Sequence, residues 1–269
     1  MATFFGEIGP LSSRAVDDEE IEDQPIYDVI INTRPECPDM KADCKLLIFS
    51  TDTIAQAFID SHIIADQAPD TVKYFLEVRY ISKQGKDEST MYTNDFKLKS
   101  NGVKVAHTLF IEPNLVLCAL TPNMPDEIAL EVCELILSKV NCEEALILTS
   151  RHVSHFKTDH PLISDDPFLK SLVTSKYAAE HNCSIPQLPA PNFISNFPAA
   201  LLTLFEIKKK GALCVINFVH SESLDLVNVT NFRKIFNDDL IVNLVPSKKT
   251  MENLRVHGGI DVCDSNLYT

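Results

Sequence analysis

Apolar residues along this chain fall into two recurring patterns. One is the short, mostly apolar run, at residues 44–50, 145–149 and 212–219. A run of that length predicts a strand covered on both faces, because neither side of the pleat is left polar. The other is the helical stripe. Ile54 and Phe58 stand four apart after a capping Thr51 or Asp52. Ile128, Val132, Leu135 and Ile136 repeat on one helical face, after Asn123 as a plausible cap and Pro125, Asp126 and Glu127 as a first turn. Asp166-Pro167 is expected to open a helix carrying Phe168, Leu169, Leu172 and Val173. Pro198 opens another through residues 199–202, ending at Lys208-Lys209-Lys210, with Gly211 to turn the chain. Leu226, Phe232, Ile235 and Phe236 suggest one more helix, and residues 248–256 a last one.

Residues 72–80, 103–111 and 114–120 read as strands without intervening helices, so part of the sheet is expected to be antiparallel. Strands alternating with amphipathic helices predict an α/β fold: a single-domain, three-layer αβα sandwich with a mixed, largely parallel sheet. The expected domain covers residues 26–260. Residues 1–25 read as a disordered arm, because Asp17, Asp18, Glu19, Glu20, Glu22 and Asp23 repel one another and no apolar period runs through them. Residues 261–269 read as a C-terminal tail, following Gly258-Gly259. Pro186, Pro189, Pro191 and Pro198 mark a long irregular connection, of a kind that covers something or is functional.

Charge narrows the partners. The 269 residues carry 24 Lys and Arg against 38 Asp and Glu, a net charge of −14. Such a chain repels phosphate backbones and anionic lipid, so neither nucleic acid nor membrane is expected. The eight cysteines form no C-x-x-C pair, and several lie inside apolar runs. They are expected to be reduced core thiols rather than metal ligands or disulfides, as in a cytosolic protein. The first residues, MATFFGEIGP, show neither a basic region nor a long apolar one, so no signal peptide is expected.

Chemistry is sparse. With seven glycines the chain has neither a G-x-G-x-x-G nor a Walker loop, and no G-x-S-x-G elbow. The most suggestive polar cluster is residues 149–158, which leaves a buried strand where α/β folds place ligands. There Arg151, His152 and His155 could bind an anion or shuttle protons, or could simply pin a loop. No acidic partner lies nearby in sequence to complete a catalytic set. His181 and His257 stand alone, with no metal-ligand spacing to another His or Cys. No cofactor, no metal and no enzymatic activity are therefore expected. The alternative is a small-molecule enzyme of phosphorylase-like α/β fold using the Arg151–His155 segment. The last three residues, Leu267, Tyr268 and Thr269, have a docking character. Leucine can fill an apolar notch, tyrosine can bury its ring and bond at the rim, and the carboxylate can be captured by a cation or backbone amides.

Several stretches taken together resemble the proteasome assembly chaperone family. They are the opening residues 1–7 with the acidic arm, residues 147–153 with Lys157-Thr158, Pro167-Phe168-Leu169, Pro191-Asn192 through Phe197-Pro198-Ala199-Ala200, and the ending Asn266-Leu267-Tyr268-Thr269. The resemblance covers both ends and residues 145–220; between 26 and 140 only the strand–helix pattern corresponds. It implies a non-enzymatic α/β chaperone that pairs with proteasome assembly chaperone 2 and binds proteasome α subunits during α-ring assembly. Leu267, Tyr268 and Thr269 would then enter a pocket between α subunits. Arg151, His152 and His155 would be structural or at the heterodimer interface. A cytoplasmic location, with nuclear or ER-associated pools, goes with it.

Overall fold

The computed structural model describes residues 27–34, 42–64, 75–82, 107–112, 115–119, 126–158 and 166–238. Eight strands form one sheet: β1 (Tyr27–Arg34), β2 (Ala42–Ser50), β3 (Phe75–Ser82), β4 (His107–Glu112), β5 (Leu115–Ala119), β6 (Val140–His152), β7 (Phe168–Val173) and β8 (Gly211–Val219). Their order across the sheet is β1-β3-β4-β5-β2-β6-β8-β7. The centre, β5-β2-β6-β8, is parallel. The helix-free segment supplies antiparallel strands on one side, as expected, and β7 adds an antiparallel edge on the other.

The apolar runs form the central strands, and the two-residue period sorts their side chains between two cores. Leu47, Phe49, Ala145, Ile147, Cys214 and Ile216 face one side. There they pack against Val132, Cys133 and Ile136 of α2 (Ala129–Lys139) and Leu201 and Phe205 of α4 (Asn196–Ile207). Leu46, Ile48, Leu146, Leu148, Leu213 and Val215 face the other. That side is covered by Ile54 and Phe58 of α1 (Thr53–Ile59), Tyr177 of α3 (Ser175–Glu180), Val229 of α5 (Leu226–Asn231) and Phe232 beyond it. The three-layer α/β architecture follows directly: both faces are apolar, so both need helices.

Local differences from the sequence reading have physical causes. Residues 168–173 form an edge strand rather than the expected helix, because Phe168 through Val173 pair with Phe218 through Leu213 of β8. The chain turns after α4 at Lys209, whose φ is 53°, while Gly211 already belongs to β8. Gly211 instead leaves room beside Glu144: a Cβ there would lie 3.3 Å from Glu144 Oε1, a tight contact. Strand β1 and helix α3 had no counterpart in the apolar pattern. The arm 1–25, the helix expected at 248–256 and the tail 261–269 lie outside the described residues, as do Asn123 and Pro125. Among the six described free cysteines, five are buried and Cys183 is half-buried.

Candidate functional site

Three parallel strands end side by side at Ser50, His152 and Val219. Asp52, immediately past β2, joins two of these ends. Its Oδ1 accepts from the N–H groups of Ile54 and Ala55 at 2.9 Å each, capping α1. Its Oδ2 accepts from Ser150 N–H of β6 at 2.5 Å. The residue is partly exposed but its carboxyl group is enclosed, and burial pushes the carboxyl above its usual range against the pull of those donors.

Of the polar side chains that leave β6, Arg151 holds the proline-rich connection and His152 the exit of β8. Arg151 Nη1 donates to Phe193 O at 3.1 Å and Nη2 to Ser195 Oγ at 2.5 Å. Ser195 is the N-cap residue of α4, and its side chain makes no cap bond to that helix. His152 Nε2 donates to His220 O at 2.9 Å, while its Nδ1 accepts from Ser154 N–H at 3.2 Å. His155 ends a single 3-10 turn, Val153–His155, and is exposed. Asn192 then clips the connection to the strand exit: its Oδ1 accepts from Lys157 N–H at 2.7 Å, and its Nδ2 donates to Lys157 O at 2.8 Å and Pro189 O at 2.9 Å.

Beneath the clip, Phe156, Phe168 and Phe218 meet pairwise at ring-centroid distances of 5.0 to 5.2 Å. Lys157 Nζ lies 5.9 Å above the exposed ring of Phe193, and Lys170 Nζ 5.7 Å above Phe156. Arg151 and His152 thus reach the same strand end but point into different hydrogen bonds, and His155 into solvent. The bonds that Arg151 and His152 make go to backbone and hydroxyl partners, which is the work of a loop latch. The connection's own partners, Asn192 and Ser195, were not legible as such; the cluster of prolines was the only signal that this segment covers something.

At the opposite end of the sheet the structure joins residues that the sequence left isolated. His181, just past α3, brings Nε2 to 2.5 Å from Glu144 Oε1 of β6. Together with Glu180, these side chains each offer one ligand-capable atom within 4.8 Å of the other two. The 37 positions between Glu144 and His181 conceal this from sequence spacing. Leu267, Tyr268 and Thr269 lie outside the described residues, so the structure places no docking tail. Among the described residues, no helix is long and apolar enough to cross a membrane.

Fold and strand-end geometry define an αβα sandwich whose most polar segment fastens a loop. Comparison with known proteins gives the family. The family model PAC1, described as "Proteasome assembly chaperone 4", matches residues 1–269. Proteasome assembly chaperone 1 of Xenopus laevis is 26% identical over 295 residues, covering 100% of both chains. The protein of that name in Homo sapiens is 31% identical over 128 residues, covering 46% of this chain and 43% of its own. Among solved structures, Pyrococcus furiosus PbaA, an archaeal homolog of proteasome-assembly chaperone, matches with a TM-score of 0.52 at 12% identity, over 87% of this chain and 94% of that one. Pyrococcus furiosus PbaB, an archaeal proteasome activator, matches with a TM-score of 0.50 at 13% identity, over the same shares. The structural likenesses speak to the fold. The chain belongs to the proteasome assembly chaperone 1 family. Membership supports a chaperone role in proteasome assembly.

Proposed function

We propose that this protein is a non-enzymatic scaffold that pairs with proteasome assembly chaperone 2 and holds proteasome α subunits while the α ring forms. The observation that carries this is the family match along the whole chain, residues 1–269. The strand-end geometry supports a structural part for that segment, since Arg151 ties down the proline-rich connection and His152 the exit of β8. Docking is assigned to Leu267, Tyr268 and Thr269, the hydrophobic–Tyr–X ending. A three-residue tail buries few atoms and must be ordered on binding, so alone it binds weakly. A second contact from the body or the partner raises its effective concentration and makes the pair tight. The cytoplasm, where α rings would be met, is the proposed location.

The test is affinity capture of the full chain from its native source, compared with a chain lacking Leu267-Tyr268-Thr269, both read by mass spectrometry. The intact chain is expected to bring down a partner chaperone and α subunits, and the shortened one the partner chaperone alone. Capture of α subunits at equal yield by both would remove the tail from the proposal. Capture of no proteasome component by either would end it.

A further inference from the structure

We propose that Glu144, Glu180 and His181 form a divalent transition-metal site, best suited to Zn2+, that cross-links α3 to β6. The three residues come from two elements and supply one imidazole nitrogen and two carboxylate oxygens, each within 4.8 Å of the others. Zinc takes such a ligand set and completes a tetrahedron with water, whereas Mg2+ and Ca2+ prefer oxygen alone.

The surroundings favour a built position over a chance meeting. Glu144 sits opposite Gly211 in the β6–β8 register, and the missing side chain there leaves room for its carboxylate against β8. The His181 ring lies 4.8 Å from the Tyr177 ring, whose fully buried side chain fixes the imidazole plane. Both His181 and Glu144 are about three-quarters covered, at 22% and 25% side-chain exposure, so solvent competes only from one side. Glu180 is exposed, and its cationic neighbour Lys176 is 3.9 Å away in an exposed pair that contributes little. A chain of charge −14 adds a field that draws cations.

Without metal, His181 and Glu144 hydrogen-bond to each other at 2.5 Å. Ligands at zinc bond lengths near 2.0–2.1 Å stand roughly 3.3 Å apart in a tetrahedron. The ion would therefore replace that bond by spreading the pair by less than 1 Å, roughly, with Glu180 swinging in from solvent. The site lies at the other end of the sheet from the strand-end latch, and does not depend on the chaperone proposal.

The experiment titrates the full chain, freed of metal by a chelator, with Zn2+ alone by calorimetry, beside Glu180→Gln and His181→Gln. Each variant is expected to bind at least about tenfold more weakly. Glu180 is exposed, so its variant keeps the fold, which circular dichroism checks. Titration with Co2+ separates this site from the cysteines: histidine and carboxylate ligation gives no thiolate charge-transfer band. Variants that titrate like the natural chain, a thiolate band, or no binding at submillimolar Zn2+ would each overturn the proposal.

Discussion

The Ser150 N–H of β6 points at the Oδ2 of Asp52, 98 residues earlier in the chain, at 2.5 Å. One carboxylate thereby caps α1 and fixes the end of the neighbouring strand. Replacing Asp52 by Ala strands three N–H donors. A lost cap costs about 1 kcal/mol and a buried donor without a partner about 1–3, so Asp52→Ala is expected to lower stability by about 2–4 kcal/mol. Urea unfolding of the natural and substituted chains measures this.

Arg151 predicts a local effect instead. Its guanidinium holds Phe193 O and Ser195 Oγ, so Arg151→Met is expected to loosen residues 186–195 while leaving the sheet intact. Amide exchange in that connection should rise, with global stability falling by only about 1–2 kcal/mol, because the pair is half-exposed. Arg151→Lys is not expected to restore protection, since an ammonium cannot bridge both acceptors in the same fork.

Lys209 occupies left-handed backbone, φ 53°, on the surface. A side chain there costs about 1–2 kcal/mol, while glycine gives back about 0.4–1 through the freer unfolded chain. Lys209→Gly should therefore gain about 0.5–1 kcal/mol, visible as a raised thermal midpoint.

His62 makes the protein sensitive to acid. It is fully buried and stacked on Phe58 at 4.6 Å. Ser61 Oγ donates to Ala57 O at 2.6 Å, which leaves it to accept from His62 Nδ1 at 2.8 Å. Nε2 has no hydrogen-bond partner among the described residues. Burial first, then the nearby Arg233 cation, lowers its pKa from 6.5 to about 4. Between those values the unfolded chain binds the proton and the folded chain does not. The contribution is thus complete above pH 6.5 and is lost as pH falls toward 4, by at most about 3 kcal/mol. His62→Phe should flatten stability over that range in chemical unfolding at stepped pH; an unchanged slope would show that His62 is not the group responsible.

The central strands and their two-faced cover could be read from the chain because their runs are apolar at nearly every position, so that neither face of the pleat is left polar. The helices α1 and α4 announced themselves through Asp52 and Pro198. Strand β7 did not, because Phe168, Leu169, Leu172 and Val173 suit a helical stripe as well as a pleat. What decides is the partner: Phe168 lies opposite Phe218, and that pairing is tertiary. Helix α3, six residues long, is too short to display a period and is fixed by Thr174, whose Oγ1 accepts from Tyr177 N–H. The candidate residues Arg151, His152 and His155 were found by their position after a strand, but the directions of Arg151 and His152 depend on Phe193, Ser195 and His220, which the chain brings in from elsewhere. Glu144 and His181 met for the same reason, through folding alone.

Strand β6 is 13 residues long and shares its hydrogen bonds unevenly. Residues 140–148 bond to β2, and residues 144–152 to β8. The stretch 144–148 is consequently held from both sides and lies under both helical layers. Disruption that begins at the β7 edge reaches β6 through β8, and disruption from the opposite edge reaches it through β2. Neither half of the sheet can melt past this strand without the other. The described sheet is therefore expected to unfold as one cooperative unit rather than strand by strand.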